Sequence, residues 1–222
     1  MAMWTEHPPT MPTEETPAMR SQRAREELRA AIRAVDHTLR QAGLPPRCMG
    51  FTLEMFPDRA NPALRQIADY LETWDGTRGL ILTGGYGVGK TGLLAAALRA
   101  LVTDHRSLWD APLHFALAAD LLDLLRQGYE AGDATQRLAR VRNARLLALD
   151  DLGAEKPTEW VQERLMMIVN HRYERLLPTW ITTNYGLNGL AERIGERTVW
   201  RLAETCAVIE ITGRNLRMHG AP

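Results

Sequence analysis

A chain of 222 residues, 45% of them hydrophobic, is long enough to bury a substantial core and fits one domain with a short appendage. Its 27 basic and 27 acidic residues cancel, so total charge argues for neither a nucleic-acid nor a membrane partner, and any such contact must come from a local patch. Cys48 and Cys206 lie far apart with no CxxC or Cys/His cluster, which speaks against a disulfide framework and a zinc site. The N-terminus carries Pro, Thr and Glu where a secretory signal needs a basic start and an apolar run, and no stretch approaches a membrane span, so a cytoplasmic protein is expected. Of the 27 basic residues, 25 are arginine, leaving only Lys90 and Lys156. A lysine that persists against that bias points to a task arginine cannot do.

Residues 1–19 hold Pro8, Pro9, Pro12 and Pro17 without apolar periodicity and are expected to form a disordered tail. Leu28, Ile32, Val35 and Leu39 then recur at helical spacing, with Ser21 as cap and Gly43-Leu44-Pro45-Pro46 as stop, predicting a basic amphipathic helix over 20–45. Seven arginines from Arg20 to Arg47 against Glu26, Glu27 and Asp36 leave four net positive charges there, read either as a solvated face or as a partner-binding or nucleic-acid contact. A second helix starts at Asn61-Pro62 and ends near Trp74-Asp75-Gly76. From Leu80 onward, short apolar runs alternate with helical ones: 80–82, helix 90–102, 113–116, helix 120–128, 146–149, helix 158–176, 180–183, helix 189–204 and 208–211. Five apolar strands separated by helices imply an α/β fold with a five-stranded parallel sheet sandwiched by helices.

Leu80-Ile81-Leu82-Thr83 runs into Gly84-Gly85-Tyr86-Gly87-Val88-Gly89-Lys90-Thr91, a GxxxxGK[ST] match between a strand and a helix. Such a loop turns backbone N–H groups toward phosphates at the positive end of the following helix. Lys90 is expected to reach the β- and γ-phosphates of ATP, and Thr91 to coordinate Mg²⁺. A P-loop NTPase also needs an acid at the end of a neighbouring strand, and Leu146-Leu147-Ala148-Leu149-Asp150-Asp151 is such a Walker B pattern. Asp150 is expected to hold Mg²⁺ through water, and Asp151 to orient or deprotonate the attacking water, with helix capping as the competing role for either acid. Trp180-Ile181-Thr182-Thr183-Asn184 ends in polar residues where parallel strands converge on a ligand crevice, so Asn184 is a candidate to polarise that water, or else a turn residue.

Together these residues resemble the AAA+ family of DnaC/IstB-like ATPases, which includes bacterial helicase loaders and transposition accessory ATPases. The likeness runs from about Cys48 to Arg217. It is carried by Leu149-Asp150-Asp151-Leu152-Gly153-Ala154-Glu155-Lys156, by Asn170-His171-Arg172-Tyr173 ahead of Thr182-Thr183-Asn184, and by Glu192-Arg193-Ile194-Gly195-Glu196-Arg197 through Arg201-Leu202. The resemblance implies an AAA+ (ASCE) ATPase domain over 47–218 without a separate C-terminal lid domain. It implies Asn184 as sensor 1, Arg201, with Arg197 beside it, as an arginine finger acting on ATP in an adjacent subunit, and Arg217 as sensor 2. Phe51 and Phe56 are candidates for the wall of an adenine pocket by the same resemblance.

The function expected on these grounds is that of a DnaC-like loader, an ATP-dependent homo-oligomer that grips single-stranded DNA and delivers a replicative helicase through its N-terminal helix. Arg137, Arg140, Arg142 and Arg145, just before the Walker B strand, are the candidate DNA contact, with a solvated helix end as the alternative. An IstB-like ATPase that assembles on duplex DNA and activates a transposase is the second reading. A small-molecule kinase using Asp151 on a substrate hydroxyl, and a slow-hydrolysing nucleotide-dependent switch, are the others.

Overall fold

The structure, a computed structural model, describes residues 16–56 and 62–213. The expected tail therefore lies outside the described residues up to position 15, as do Asn61 and Arg217.

Helix α1 spans Pro17–Gln41. It starts earlier than the apolar periodicity suggests because Thr16 caps it, the Thr16 hydroxyl accepting from the Met19 amide at 3.3 Å, with Pro17 suited to the first turn. Ser21 is thus inside the helix. The helix has two different halves. Its first part is exposed, including Leu28 at 62% and Ile32 at 50%, whereas Val35, Leu39, Ala42 and Leu44 are buried in the main core. The C-terminal half of α1 and the turn after it are therefore packed into the same core as the sheet.

The remaining elements alternate as strands and helices. After α2 (Pro62–Glu72) come β1 (Gly79–Thr83), α3 (Lys90–Asp104), β2 (Leu113–Leu117), α4 (Ala118–Ala131), α5 (Ala134–Asn143) and β3 (Leu146–Asp150). Then follow α6 (Glu159–Glu174), β4 (Thr179–Thr183), α7 (Leu187–Ile194), α8 (Glu196–Thr205) and β5 (Cys206–Glu210). Two details depart from expectation. The arginine-rich stretch before β3 is itself a helix, α5, whose sequence ATQRLARVRN has too few apolar residues to show a period. The helix expected over 189–204 is two, broken at Gly195, where φ is +92° and a residue with a side chain would be strained.

All five strands are parallel in the order β2-β3-β4-β1-β5. Alternate residues of each strand serve opposite faces. Leu80 and Leu82 of β1 join the core shared with α1, α2 and α3, while Ile81 joins the core under α4, α6, α7 and α8. Both faces are covered, which is why the strands read as apolar runs. Trp180, fully buried, is satisfied by donating from Nε1 to the Tyr70 hydroxyl at 2.9 Å, and that hydroxyl donates to the Arg78 carbonyl. Arg172 of α6, also buried, donates to Thr179 Oγ1 and to the carbonyls of Val141, Arg142, Ala144 and Pro178.

Candidate nucleotide site

The strand order decides what meets at the C-terminal edge of the sheet. Because β4 lies between β1 and β3, Asn184, just past the end of β4, sits between the phosphate loop that follows β1 and the acids that end β3. Its side chain joins them: Asn184 Oδ1 accepts from Lys90 Nζ at 2.6 Å, and Nδ2 donates to Asp151 Oδ1. Lys90 is buried, and its ammonium also donates to the Gly84 and Gly85 carbonyls at 2.9 and 2.7 Å. Burial of that charge is offset by these charge-assisted bonds.

Asp150 is buried at 3% exposure and receives two hydroxyls. Thr91 Oγ1 lies 2.9 and 3.0 Å from its two oxygens, and Thr182 Oγ1 donates to Oδ1 at 2.6 Å. Thr182 also accepts from the Asp151 amide at 2.8 Å, so one threonine orients both acids. Motif reasoning passes over Thr182 because threonine at a strand end is unremarkable; only its position opposite β3 gives it this task. Asp151 itself has φ +58°, a conformation that Asp tolerates better than most residues and that turns the chain sharply out of the strand.

The structure thus brings Lys90, Thr91, Asp150, Asp151 and Asn184 into one hydrogen-bonded group. Of the remaining loop residues, Gly85 and Tyr86 are exposed, Tyr86 at 71%, and Val88 packs on the main core. Phe51 and Phe56 pair at 6.2 Å between ring centroids and press on α3 beside Thr91, where a Cβ at Gly92 would lie 3.2 Å from the Phe56 ring. Arg197 and Arg201 both lie on α8. Arg197 is exposed, and Arg201 rests on α6, with Nη1 3.6 Å from Met166 Sδ and its guanidinium 5.5 Å from the Tyr173 ring centre.

The donor set suits a magnesium nucleotide. A hydroxyl and a carboxylate within 3.0 Å of each other are hard oxygen ligands, and a lysine at the start of α3 meets phosphate at the positive end of a helix. Lys90→Ala is expected to weaken ATP binding about ten- to hundredfold, because a hydrogen bond to a charged group contributes roughly 1.5–3 kcal/mol; titration with a fluorescent ATP analogue checks this.

Known proteins resemble this chain in sequence and fold. The chain is 27% identical over 169 residues to the replicative helicase loader DnaI of Bacillus subtilis, covering 69% of this chain and 53% of that protein. It is 27% identical over 179 residues to the phage-like element PBSX protein XkdC of the same organism, covering 78% of this chain and 65% of that one. The chain therefore spans between about half and two thirds of the length of these relatives. A crystal structure of the DnaC helicase loader superimposes with a TM-score of 0.68 and 30% identity, over 76% of this chain and all of that one. With DnaI and DnaC as neighbours, the sheet and its helices are an AAA+ P-loop domain. The sequence pattern of one family matches residues 19–221 almost end to end, and this chain belongs to that family, the IstB-like ATP binding proteins.

Proposed function

We propose that this protein hydrolyses ATP with Mg²⁺ in an assembly of its own copies and acts in the cytoplasm as a helicase loader on single-stranded DNA. The observation that carries the hydrolytic part is the Lys90–Asn184–Asp151 chain, which links a phosphate-binding cation to a carboxylate through one amide. In this reading Asp151 orients the attacking water and accepts its proton, and Asn184 keeps Asp151 and the water in register with the γ-phosphate. Lys90 leaves the Gly84 and Gly85 carbonyls for the β- and γ-phosphates, where it offsets charge in the transition state. Thr91 and Asp150 would hold Mg²⁺, which neutralises phosphate charge when bound. Among the described residues, no helix is long and apolar enough to cross a membrane.

The loader reading is supported by the names of the relatives DnaI and DnaC and by the shape of α1. Its first half exposes Leu28 and Ile32 among arginines, and a helix with an apolar stripe and a basic rim suits a groove on a protein partner. On α8, Trp200 is 75% exposed between Arg197 and Arg201, and an exposed tryptophan beside arginines has the composition of an interface anchor. An assembly that brings Arg201 to a neighbouring subunit's ATP would bury it.

The DNA reading has a direct test. Arg137 is engaged with Asp133 at 2.7 Å and with the Leu124 carbonyl, while Arg140 and Arg145 are exposed. Replacing Arg140 and Arg145 with glutamine is expected to reduce the salt slope of single-stranded DNA binding by about 1.4, roughly 0.7 per lost phosphate contact. An unchanged slope would remove Arg140 of α5 and Arg145 ahead of β3 from the DNA-binding surface. The wider experiment is ATP turnover with and without single-stranded DNA, followed by capture of purified replicative helicase. A protein that binds ATP, ignores single-stranded DNA and helicase, yet assembles on duplex DNA and captures a transposase would be the IstB-like regulator, a reading with which the family match is equally compatible.

A further inference from the structure

The loop that follows Asp151 contains none of the residues assigned to the chemistry, yet it sets where Asp151 lies. The Leu152 amide donates to the Thr182 carbonyl at 2.8 Å, and the Gly153 amide donates to the Glu155 carboxylate at 3.1 and 3.2 Å. Gly153 has φ +92°, and a Cβ there would lie 2.9 Å from Leu190 Cδ1 and 3.2 Å from the Tyr185 ring. The loop is therefore pressed against the start of α7 and against the residue next to Asn184.

One side chain closes this arrangement. Arg193, on the last turn of α7, donates through Nε to the Gly153 carbonyl and through Nη2 to the Glu155 carbonyl at 2.9 Å. Its guanidinium lies 4.8 Å from the centre of the Tyr185 ring. Its own carbonyl accepts from Gln162 Nε2 at 3.2 Å, which fixes it from α6 as well. A planar fork that bonds two acceptors while lying over an aromatic ring is an arrangement that lysine cannot reproduce.

We propose that Arg193 is a positioning residue of the nucleotide site, clamping the Gly153–Glu155 loop onto Tyr185 so that Asp151 stays in hydrogen-bond contact with Asn184. The inference rests on the hydrolytic reading above. Asp151 leaves β3 through a left-handed turn, so its direction depends on how the next residues are held as well as on Thr182, which takes its amide from the strand side. Tyr185 and Asn184 are consecutive, so the clamp fixes both members of the Asp151–Asn184 pair through one contact set. Arg193 is separate from the finger candidates: it points back into its own subunit's loop, while Arg197 and Arg201 follow on α8.

The test compares the full chain with Arg193→Lys, Arg193→Ala and Tyr185→Leu by amide hydrogen exchange, nucleotide titration and steady-state turnover. In Arg193→Ala, exchange over 151–156 should accelerate about tenfold or more while β1 and β3 keep their protection, as expected for local rather than global opening. ATP affinity should stay within about twofold while kcat falls about ten- to hundredfold, the scale of a misplacement near 1 Å. Arg193→Lys should behave similarly, and added guanidinium should restore part of the turnover of Arg193→Ala. Should Arg193→Ala fail to fold, Tyr185→Leu must show the same selective loosening of 151–156. Unchanged exchange with unchanged kcat overturns the proposal. So does a parallel loss of melting temperature and ATP affinity without selective loosening, which is a purely structural role. A wild type that never turns over ATP removes the hydrolytic reading alone, and the exchange comparison still decides whether Arg193 clamps the loop.

Discussion

Replacing Arg172 with methionine is expected to lower stability by about 3–5 kcal/mol, since several buried acceptors lose their partner at about 1–3 kcal/mol each before relaxation. On the scale of roughly 2–4 °C per kcal/mol for a domain of this size, that is a fall of about 6–20 °C in Tm, read by calorimetry or circular dichroism. The side chain is 1% exposed, and burial pulls its pKa down to about 9, so it stays charged at neutral pH. What holds that charge is a set of neutral acceptors. Val141, Arg142 and Ala144 supply carbonyls at the C-terminal end of α5, the negative end of a helix dipole, and Pro178 and Thr179 supply two more oxygens at the entry to β4. Methionine nearly matches the volume but leaves these carbonyls unpaired in the interior, each at a cost of about 1–3 kcal/mol before relaxation. Arg172→Lys should recover little, since three rotatable donors cannot reach acceptors spread around a planar fork. A Tm within about 2 °C of wild type for Arg172→Met, less than 1 kcal/mol on the same scale, would show that water satisfies these carbonyls.

Arg201→Ala should leave ATP affinity within about twofold and lower kcat by about 10³ or more, the contribution of an arginine finger supplied in trans. Arg201 is well placed to be released for such a task. Within its own subunit it makes a weak contact with Met166 Sδ and lies over Tyr173. Mixing gives the sharper experiment. Lys90→Ala and Arg201→Ala are each expected to be inactive alone, but a mixed assembly contains sites with an intact Lys90 from one subunit and an intact Arg201 from its neighbour. Recovery of turnover on mixing supports catalysis across a subunit boundary. No recovery, with turnover proportional to protein concentration in the wild type, would overturn it. If Arg197→Ala shows the loss and Arg201→Ala does not, the finger is Arg197, one turn earlier on the same helix.

The parts of the site legible in the sequence are those in which chemistry is tied to local order. The run from Gly84 to Thr91 and the pair Asp150-Asp151 are contiguous, and each follows an apolar strand that the sequence shows directly. Thr182 and Arg193 stand in stretches that carry the resemblance, but what each does is not legible there. Thr182 matters because β4 lies beside β3, and Arg193 because α7 folds back onto the loop after β3, relations between segments about 30 to 40 residues apart. Asn170-His171-Arg172-Tyr173 could be recognised as distinctive by resemblance, but its reason is a buried guanidinium holding carbonyls on two other elements. The start of α1 was misplaced for a local reason: Thr16 and Pro17 are helix-start signals, but the residues after them lack an apolar face to mark the first turns.

Local pattern alone determined that this protein has five parallel strands and a phosphate loop with its acidic partner, because strand-length apolar runs and glycine spacing express backbone needs that do not depend on distant residues. Only the tertiary structure decided that β4 separates β1 from β3, so that Asn184 joins Lys90 to Asp151. The tertiary structure also decided which arginines, among 25, are a buried staple, a loop clamp or exposed on α8. The physical reason is that a guanidinium has one chemistry everywhere in the chain, and its role is set by the carbonyls, rings and carboxylates that folding brings within about 3–6 Å of it.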